Sequence, residues 1–333
     1  MPRAPWPLPD NLVDRPILVG SSQVPPSRLR RRDVWAPHHG VRIVAGSAAD
    51  WQHESGAVAL RRRCLALLAA VPNGVALSSL TAARIWPLPL PFDDGAEDLH
   101  VVALGDAWTP RRPGVRARQI SDRGAQIVER HGLRTIDPAT LLCHLSLVLT
   151  MPDLVAVADA LILDSVYPEE GRPYVTLTDL TERLTTYRGR GRRKVAQAVV
   201  LARQGSESRP ETLLRLRLLD GGLPEPRLNV DIRSSNGAFL GRGDLVYEEF
   251  RVVVEYDGDH HRTDTLVFDR DVLRLDGLAA AGWRVVRVTG RAFFGSPAAT
   301  VHRVRRALLD AGWSGTTSDR HRDRAEHAVS ATS

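Results

Sequence analysis

Lysine is almost missing from this chain. Of 45 basic residues, 44 are arginine and one is Lys194. A GC-rich coding bias is enough to account for the imbalance, yet it removes chemistry. A phosphate-loop lysine, a Schiff-base lysine or a Ser-Lys dyad would each have to use Lys194, which sits in a basic, glycine-containing run. Cysteine is nearly as scarce. Cys64 and Cys143 stand far apart with no C-x-x-C spacing, which excludes a cysteine zinc site and fits a reducing, cytoplasmic setting. Long apolar runs are lacking too. The most apolar stretch, Leu141 to Leu163, contains His144, Pro152, Asp153 and Asp159, which is wrong for a membrane span. The start, MPRAPWPLPDN, has no apolar segment of the kind a secretory signal needs. With 43% apolar and 25% charged residues, the chain is no disordered, collagenous or disulfide-scaffolded protein.

What is present is positive charge, unevenly placed. The formal net charge is +6, and residues 1–204 hold all of it, with 26 basic and 20 acidic side chains. That balance puts nucleic acid among the possible partners. The basic pieces are Arg28 to Arg32, Arg61 to Arg63, and Arg188 through Lys194. Each short cluster also reads as an ordinary solvated face. The last run, with Arg188, Arg190, Arg192, Arg193 and Lys194, reads as a flexible linker suited to phosphate contacts without sequence readout.

A length of 333 residues predicts two domains. Residues 1–187 read as a mostly helical α+β region. Helices are expected over 57–70, 78–86, 138–149, 152–163 and 178–187, and strands over 99–104 and 115–120. A basic linker over 188–205 follows. From Ser206 the pattern sharpens. Ser208-Arg-Pro-Glu211 is a capping box opening a leucine-rich helix. Leu228, Val230 and Ile232 alternate as a strand, and Asn236-Gly237 marks a hairpin turn. Phe239 to Tyr247 and Arg251 to Tyr256 are further strands, followed by a helix over 264–281, a strand over 283–288 and a last helix to Ala311. Helix, three strands, helix, strand, helix is an α/β domain with helices packed on one sheet. It should close a core of its own from about residue 205. The tail over 314–333 is expected to be disordered.

Acids gather in this second domain where a core would not want them. Asp244 lies in the second strand. Glu255 and Asp257, two apart at the end of the third, share a face. Antiparallel pairing of the two strands brings Asp244 beside Glu255. Glu211 stands on the preceding helix, where completing the capping box is its bland explanation. His260 and His261 follow the Gly258 turn. Clustered carboxylates repel and raise each other's pKa values unless a cation neutralises them. A hard divalent ion with oxygen ligands does this well. Neutralising either Asp244 or Glu255 should therefore relieve repulsion.

These residues carry a resemblance. Ser208-x-x-Glu211, Gly243-Asp244-Leu245, Val254-Glu-Tyr-Asp-Gly258 with His261, Asp271-Val-Leu-Arg274 and Gly282-Trp-Arg-Val-Val-Arg-Val288 resemble the Vsr-like (very-short-patch-repair-like) endonuclease domains. Those belong to the restriction-endonuclease-like, PD-(D/E)xK, superfamily. The resemblance implies a restriction-endonuclease-like mixed sheet flanked by helices over 206–313, and Mg2+-dependent cleavage of a nucleic-acid backbone, with Mn2+ as substitute. It implies Asp244 and Glu255 as metal ligands, and Glu211 holding a water or a second ion. The superfamily's usual lysine position is Asp257 here, so the lysine's role passes to metal-bound water, to His261 or to nothing. His261 reads equally as a surface residue in a polar loop. Arg274 and Arg287 suit either phosphate contact or anchoring of these acids, with anchoring favoured.

The first region resembles the helical, winged-helix-like part of AbiEi-type antitoxin-related proteins. The pieces are Leu29-Arg-Arg-Arg-Asp-Val34, His39-Gly-Val-Arg42, Leu80-Thr-Ala-Ala83 and Thr135-Ile-Asp-Pro138. That implies DNA binding or a protein partner. The rival to an endonuclease is a non-catalytic DNA-binding or antitoxin-like regulator that keeps the nuclease fold.

Overall fold

The structure, a computed structural model, describes residues 15–20, 24–31, 33–44, 56–91, 98–164, 171–258 and 265–316. It is an α/β protein of two compact units. The first comprises residues 1–88, 92–147 and 185–190, and the second 89–91, 148–184 and 191–333. Among the described residues, no helix is long and apolar enough to cross a membrane.

The first unit holds two sheets. Strands β1 (Pro16–Leu18), β2 (Val34–Trp35) and β3 (Val41–Val44) form a small antiparallel sheet in the order β1-β3-β2. Helix α1 (Gly56–Ala69) contributes Ala66 to the cluster with Val41 and Ile43. Strand β4 (Val75–Leu77), helix α2 (Ser79–Ile85) and strands β5 (Leu99–Leu104), β6 (Val115–Ile120), β7 (Ile127–Arg130) and β8 (Leu133–Ile136) follow. They make a five-stranded mixed sheet ordered β6-β5-β4-β8-β7. Helix α3 (Pro138–Leu145) starts at an Asp137 cap that accepts from the Thr140 N–H, with proline in its first turn. That is the geometry the Asp-Pro pair favours.

Among the described residues of 1–187, helix outweighs strand as expected, but the sheet content is larger than the sequence shows. The helices and the two longest strands stand where the residues place them. The remaining strands have two to four residues each, too short to show a period-2 pattern.

The second unit begins earlier than the sequence predicts. It includes α4 (Met151–Ile162), α5 (Leu177–Thr186) through Leu184, and α6 (Arg192–Leu201). The linker reading of 188–205 fails because Val195, Ala198 and Val199 form a buried stripe at helical spacing, while arginine and lysine are good helix formers. Helix α7 (Arg209–Asp220) packs on α4 through a buried polar knot. Thr212 donates to Asp159 at 2.8 Å, and fully buried Arg215 pairs with Asp159 at 3.1 Å and with Glu225 at 3.3 Å.

Beyond α7 come β9 (Arg227–Arg233), β10 (Phe239–Tyr247) and β11 (Val252–Asp257), then α8 (Thr265–Ala280), β12 (Arg284–Thr289), α9 (Gly290–Gly295) and α10 (Pro297–Asp310). The sheet runs β12-β11-β10-β9, antiparallel except for the parallel pair β11–β12. Leu245, Val252, Val254 and Val288 on one face pack with Leu214 and Leu218 of α7 and Val304 and Leu308 of α10. On the other, Ile232, Val246 and Val253 pack with Leu278 of α8. The expected tail lies outside the described residues from 317 onward.

Candidate functional site

The α8-covered face of this sheet carries the acids. The β10–β11 ladder pairs Tyr247 with Val252, Val246 with Val253 and Leu245 with Val254. One step further in that register, Asp244 faces Glu255. Its Oδ2 accepts the Tyr256 backbone N–H at 2.7 Å. Among the described residues Oδ1 has no hydrogen-bond partner. Burial, reinforced by the charges of Glu211 and Glu255, pushes the Asp244 carboxyl up to about 7, against the lowering influence of the Tyr256 hydrogen bond and of Arg274.

Glu255, buried at the edge of the same face, is held differently. Arg274 donates to both its oxygens, Nη1 to Oε1 at 2.7 Å and Nη2 to Oε2 at 2.9 Å, the fork geometry that favours arginine over lysine. Nη2 also donates to Asp271, one helical turn earlier on α8, at 3.1 Å. Asp271 is shared with Arg287 of β12 at 3.0 Å, and Arg287 reaches Asp257 at 3.1 Å. The ion pairs run without a break from Glu255 through Arg274, Asp271 and Arg287 to Asp257. Hydrogen bonds and charges from both acids hold the Arg274 guanidinium even more firmly protonated than usual.

Gly241 makes this reach feasible. A Cβ there would stand 3.0 Å from Arg274 Cδ, so a side chain on β10 would push the arginine stem off the sheet.

Glu211 lies close enough to raise the Asp244 pKa, yet both its oxygens are engaged at the start of α7. Ser208 Oγ donates to Oε1 at 2.7 Å, and the Glu207 N–H and Asn229 Nδ2 donate to Oε2 at 2.9 and 2.8 Å. Asn229 sits in β9 at φ 47°, a left-handed conformation that asparagine tolerates best among non-glycine residues. It also donates to the Gly205 carbonyl at 2.6 Å.

Asp244, Glu255, Asp257 and Glu211 thus share one neighbourhood, and Arg274 and Arg287 anchor acids there. His261 lies outside the described residues. The basic run is not part of this arrangement. Arg192 Nε donates to the Leu184 carbonyl at 3.2 Å and Lys194 Nζ to that of Leu149. Arg188, Arg190 and Arg193 are exposed. Asn229, Gly241 and the bridging role of Asp271 escape sequence reading. An asparagine inside an alternating strand was the one usable signal.

A divalent cation can be tested against these donors. Among the described residues, no three His, Cys, Asp or Glu side chains converge enough to hold a metal ion, because Glu211 and Glu255 turn their oxygens to other partners. In kind and charge the donors do fit. All are carboxylate oxygens, and Glu211, Asp244, Glu255, Asp257 and Asp271 exceed Arg274 and Arg287 by three negative charges. Asp244 keeps a free oxygen and a proton affinity that a cation would displace. Comparison with protein families, characterised proteins and solved structures finds no match for this chain.

Proposed function

We propose that the second unit is a restriction-endonuclease-like, metal-dependent nuclease that hydrolyses nucleic-acid phosphodiesters, DNA ahead of RNA, in defence, repair or mobile-element biology. One observation carries the reading. Asp244 is a half-buried carboxylate beside two other acids, with no ion-pair partner among the described residues and its pKa raised to about 7, an arrangement a bound divalent ion would relieve. The order α7, β9, β10, β11, α8, β12, with an antiparallel meander and one parallel crossover, supports the fold assignment.

Asp244 and Glu255 would hold Mg2+, or Mn2+ in its place. Bound there, such an ion would supply Lewis-acid polarisation of the phosphodiester and of an attacking water. The chain's own contributions follow from the contacts. The Tyr256 N–H fixes the Asp244 carboxylate against the strand end. Arg274 holds Glu255 in place and must share or yield its oxygens. Arg287 keeps Asp257 at the same edge. In this reading His261 handles a proton and Glu211 keeps α7 and its own charge beside Asp244.

Two buried cysteines outside any disulfide, Cys64 with its thiol pushed up to about 12 by burial, suit a reducing cytoplasm. The bidentate Arg274–Glu255 pair favours the second reading, a DNA-binding or antitoxin-like regulator on a nuclease fold, since an arginine already neutralises one expected ligand. Incubation with plasmid, single-stranded DNA and RNA under Mg2+, Mn2+ or EDTA separates the two. Metal-dependent cleavage lost in Asp244→Asn establishes the nuclease. Binding without cleavage in either metal establishes the regulator.

A further inference from the structure

The first unit contains an open cavity of about 410 Å3. Leu18, Val41, Val71 and Pro72 give it apolar walls, and Trp108 and Arg112 also line it. Trp108 is 52% exposed, whereas Trp86 is buried with its indole N–H donated to Thr135 Oγ1 at 2.8 Å.

The exposure is built in. Gln119 Nε2 donates to the Gly105 carbonyl at 2.7 Å and its Oε1 accepts from Thr109 Oγ1 at 3.1 Å. These bonds pin the loop on both sides of the tryptophan. Ala107 packs so closely on the Gly74 turn that a Cβ there would lie 2.7 Å from its own.

Arg112 is held as firmly. Nη1 donates to the His39 carbonyl at 3.3 Å and Nη2 to the Ala70 carbonyl at 3.1 Å. Among the described residues it pairs with no carboxylate, so its positive charge stays available. Burial, with the charges of Arg112 and Arg63, favours the neutral imidazole of nearby His38. The unit as a whole carries 20 basic and 13 acidic side chains, against 25 and 26 in the second.

A rigid exposed indole over an apolar recess, beside a fixed guanidinium on a unit with seven excess positive charges, matches one chemistry. A flat base stacks on the ring while its phosphate meets the cation. We propose that this cavity binds an unpaired base of a single-stranded nucleic acid, stacked on Trp108 with an adjoining phosphate at Arg112. A duplex offers no free base face, and an uncharged apolar ligand leaves the arginine unused. The site stands whether or not the second unit cleaves.

The test uses the full chain in EDTA, so that binding is read without cleavage. Anisotropy of a labelled single strand is compared with the matching duplex, with a nucleoside monophosphate as competitor. Trp108→Ala should weaken single-strand binding by about ten- to a hundredfold, the scale of one lost base stack. Trp108→Phe, which keeps an aromatic face, should restore most of it, and duplex binding should not change. Arg112→Gln should flatten the salt dependence by about one phosphate contact. Equal single-strand affinity in Trp108→Ala and the parent overturns the proposal. So does a parallel loss on duplex, or a monophosphate that competes as well as a strand, which would make the cavity a free-nucleotide site.

Discussion

At the scale of single residues, Asp244 and Glu255 have opposite energetics although both are acids on one sheet face. Burial pushes the Asp244 carboxyl up to about 7 in the fold, from an ordinary aspartate value of 3.8. A raised folded-state pKa means the stabilising contribution is present in full below about pH 4 and is lost as pH rises through about 7. In EDTA, Asp244→Asn should therefore be more stable than the parent at pH 8, by on the order of 2–4 kcal/mol. The difference should shrink to nothing as pH approaches 4, which paired thermal melts across that range would show. A constant difference would mean the carboxylate is not strained. Added Mg2+ should raise the melting temperature of the parent and leave Asp244→Asn unmoved.

Glu255→Gln behaves the other way. It takes from Arg274 the partner of a bidentate ion pair and leaves a half-buried cation dependent on Asp271, at a cost of about 1–3 kcal/mol. The expectation that neutralising either acid relieves repulsion leaves out Arg274, which already neutralises Glu255. The acids and their shared face were legible from strand periodicity. Arg274 and Arg287 were expected as anchors too, but which acid each holds was not legible, because Arg274 reaches Glu255 across 19 residues and the approach depends on a bare Gly241, a contact no local pattern encodes.

At the scale of elements, charge concealed structure. The run from Arg188 to Lys194 drew attention as a phosphate-seeking linker, yet six of the next seven residues are apolar, and Arg192 to Lys194 form the first turn of α6. Replacing Arg188, Arg190, Arg192, Arg193 and Lys194 by serine should consequently destabilise the second unit, since Arg192 and Lys194 close carbonyls at Leu184 and Leu149. Arg188, Arg190 and Arg193 alone, being exposed, should be replaceable with changes within about 0.5 kcal/mol. The α4–α7 junction was equally hidden, because Asp159 and Arg215 look like surface charges on two ordinary helices. Buried together, they make Asp159→Asn costly, about 3–5 kcal/mol, since Arg215 would keep only the more exposed and more distant Glu225 as counter-charge. Chemical denaturation of that variant checks the figure, and an unchanged midpoint would show the knot to be dispensable.

At the scale of the whole molecule, the division of labour follows the unit boundary at residue 148 rather than at 205. A fragment beginning near 205 contains the four-stranded sheet, but it leaves Arg215 without Asp159 and exposes the side of α7 that packs on α4. It should be insoluble or melt without cooperativity. A fragment from 148 to the end retains α4 and α6 and should unfold in one sharp transition. It should also bind DNA weakly, because its 27 basic and 26 acidic side chains nearly cancel, whereas residues 1–147, with 18 basic and 13 acidic side chains, would add counterion release on binding. Measured at matched salt in EDTA, the full chain should hold duplex DNA more tightly than the 148 fragment. Its affinity should also fall more steeply with salt, by a slope difference of several phosphate contacts. Equal slopes would show that the positive charge of the first unit does not face the nucleic acid, and would turn its role toward a protein partner.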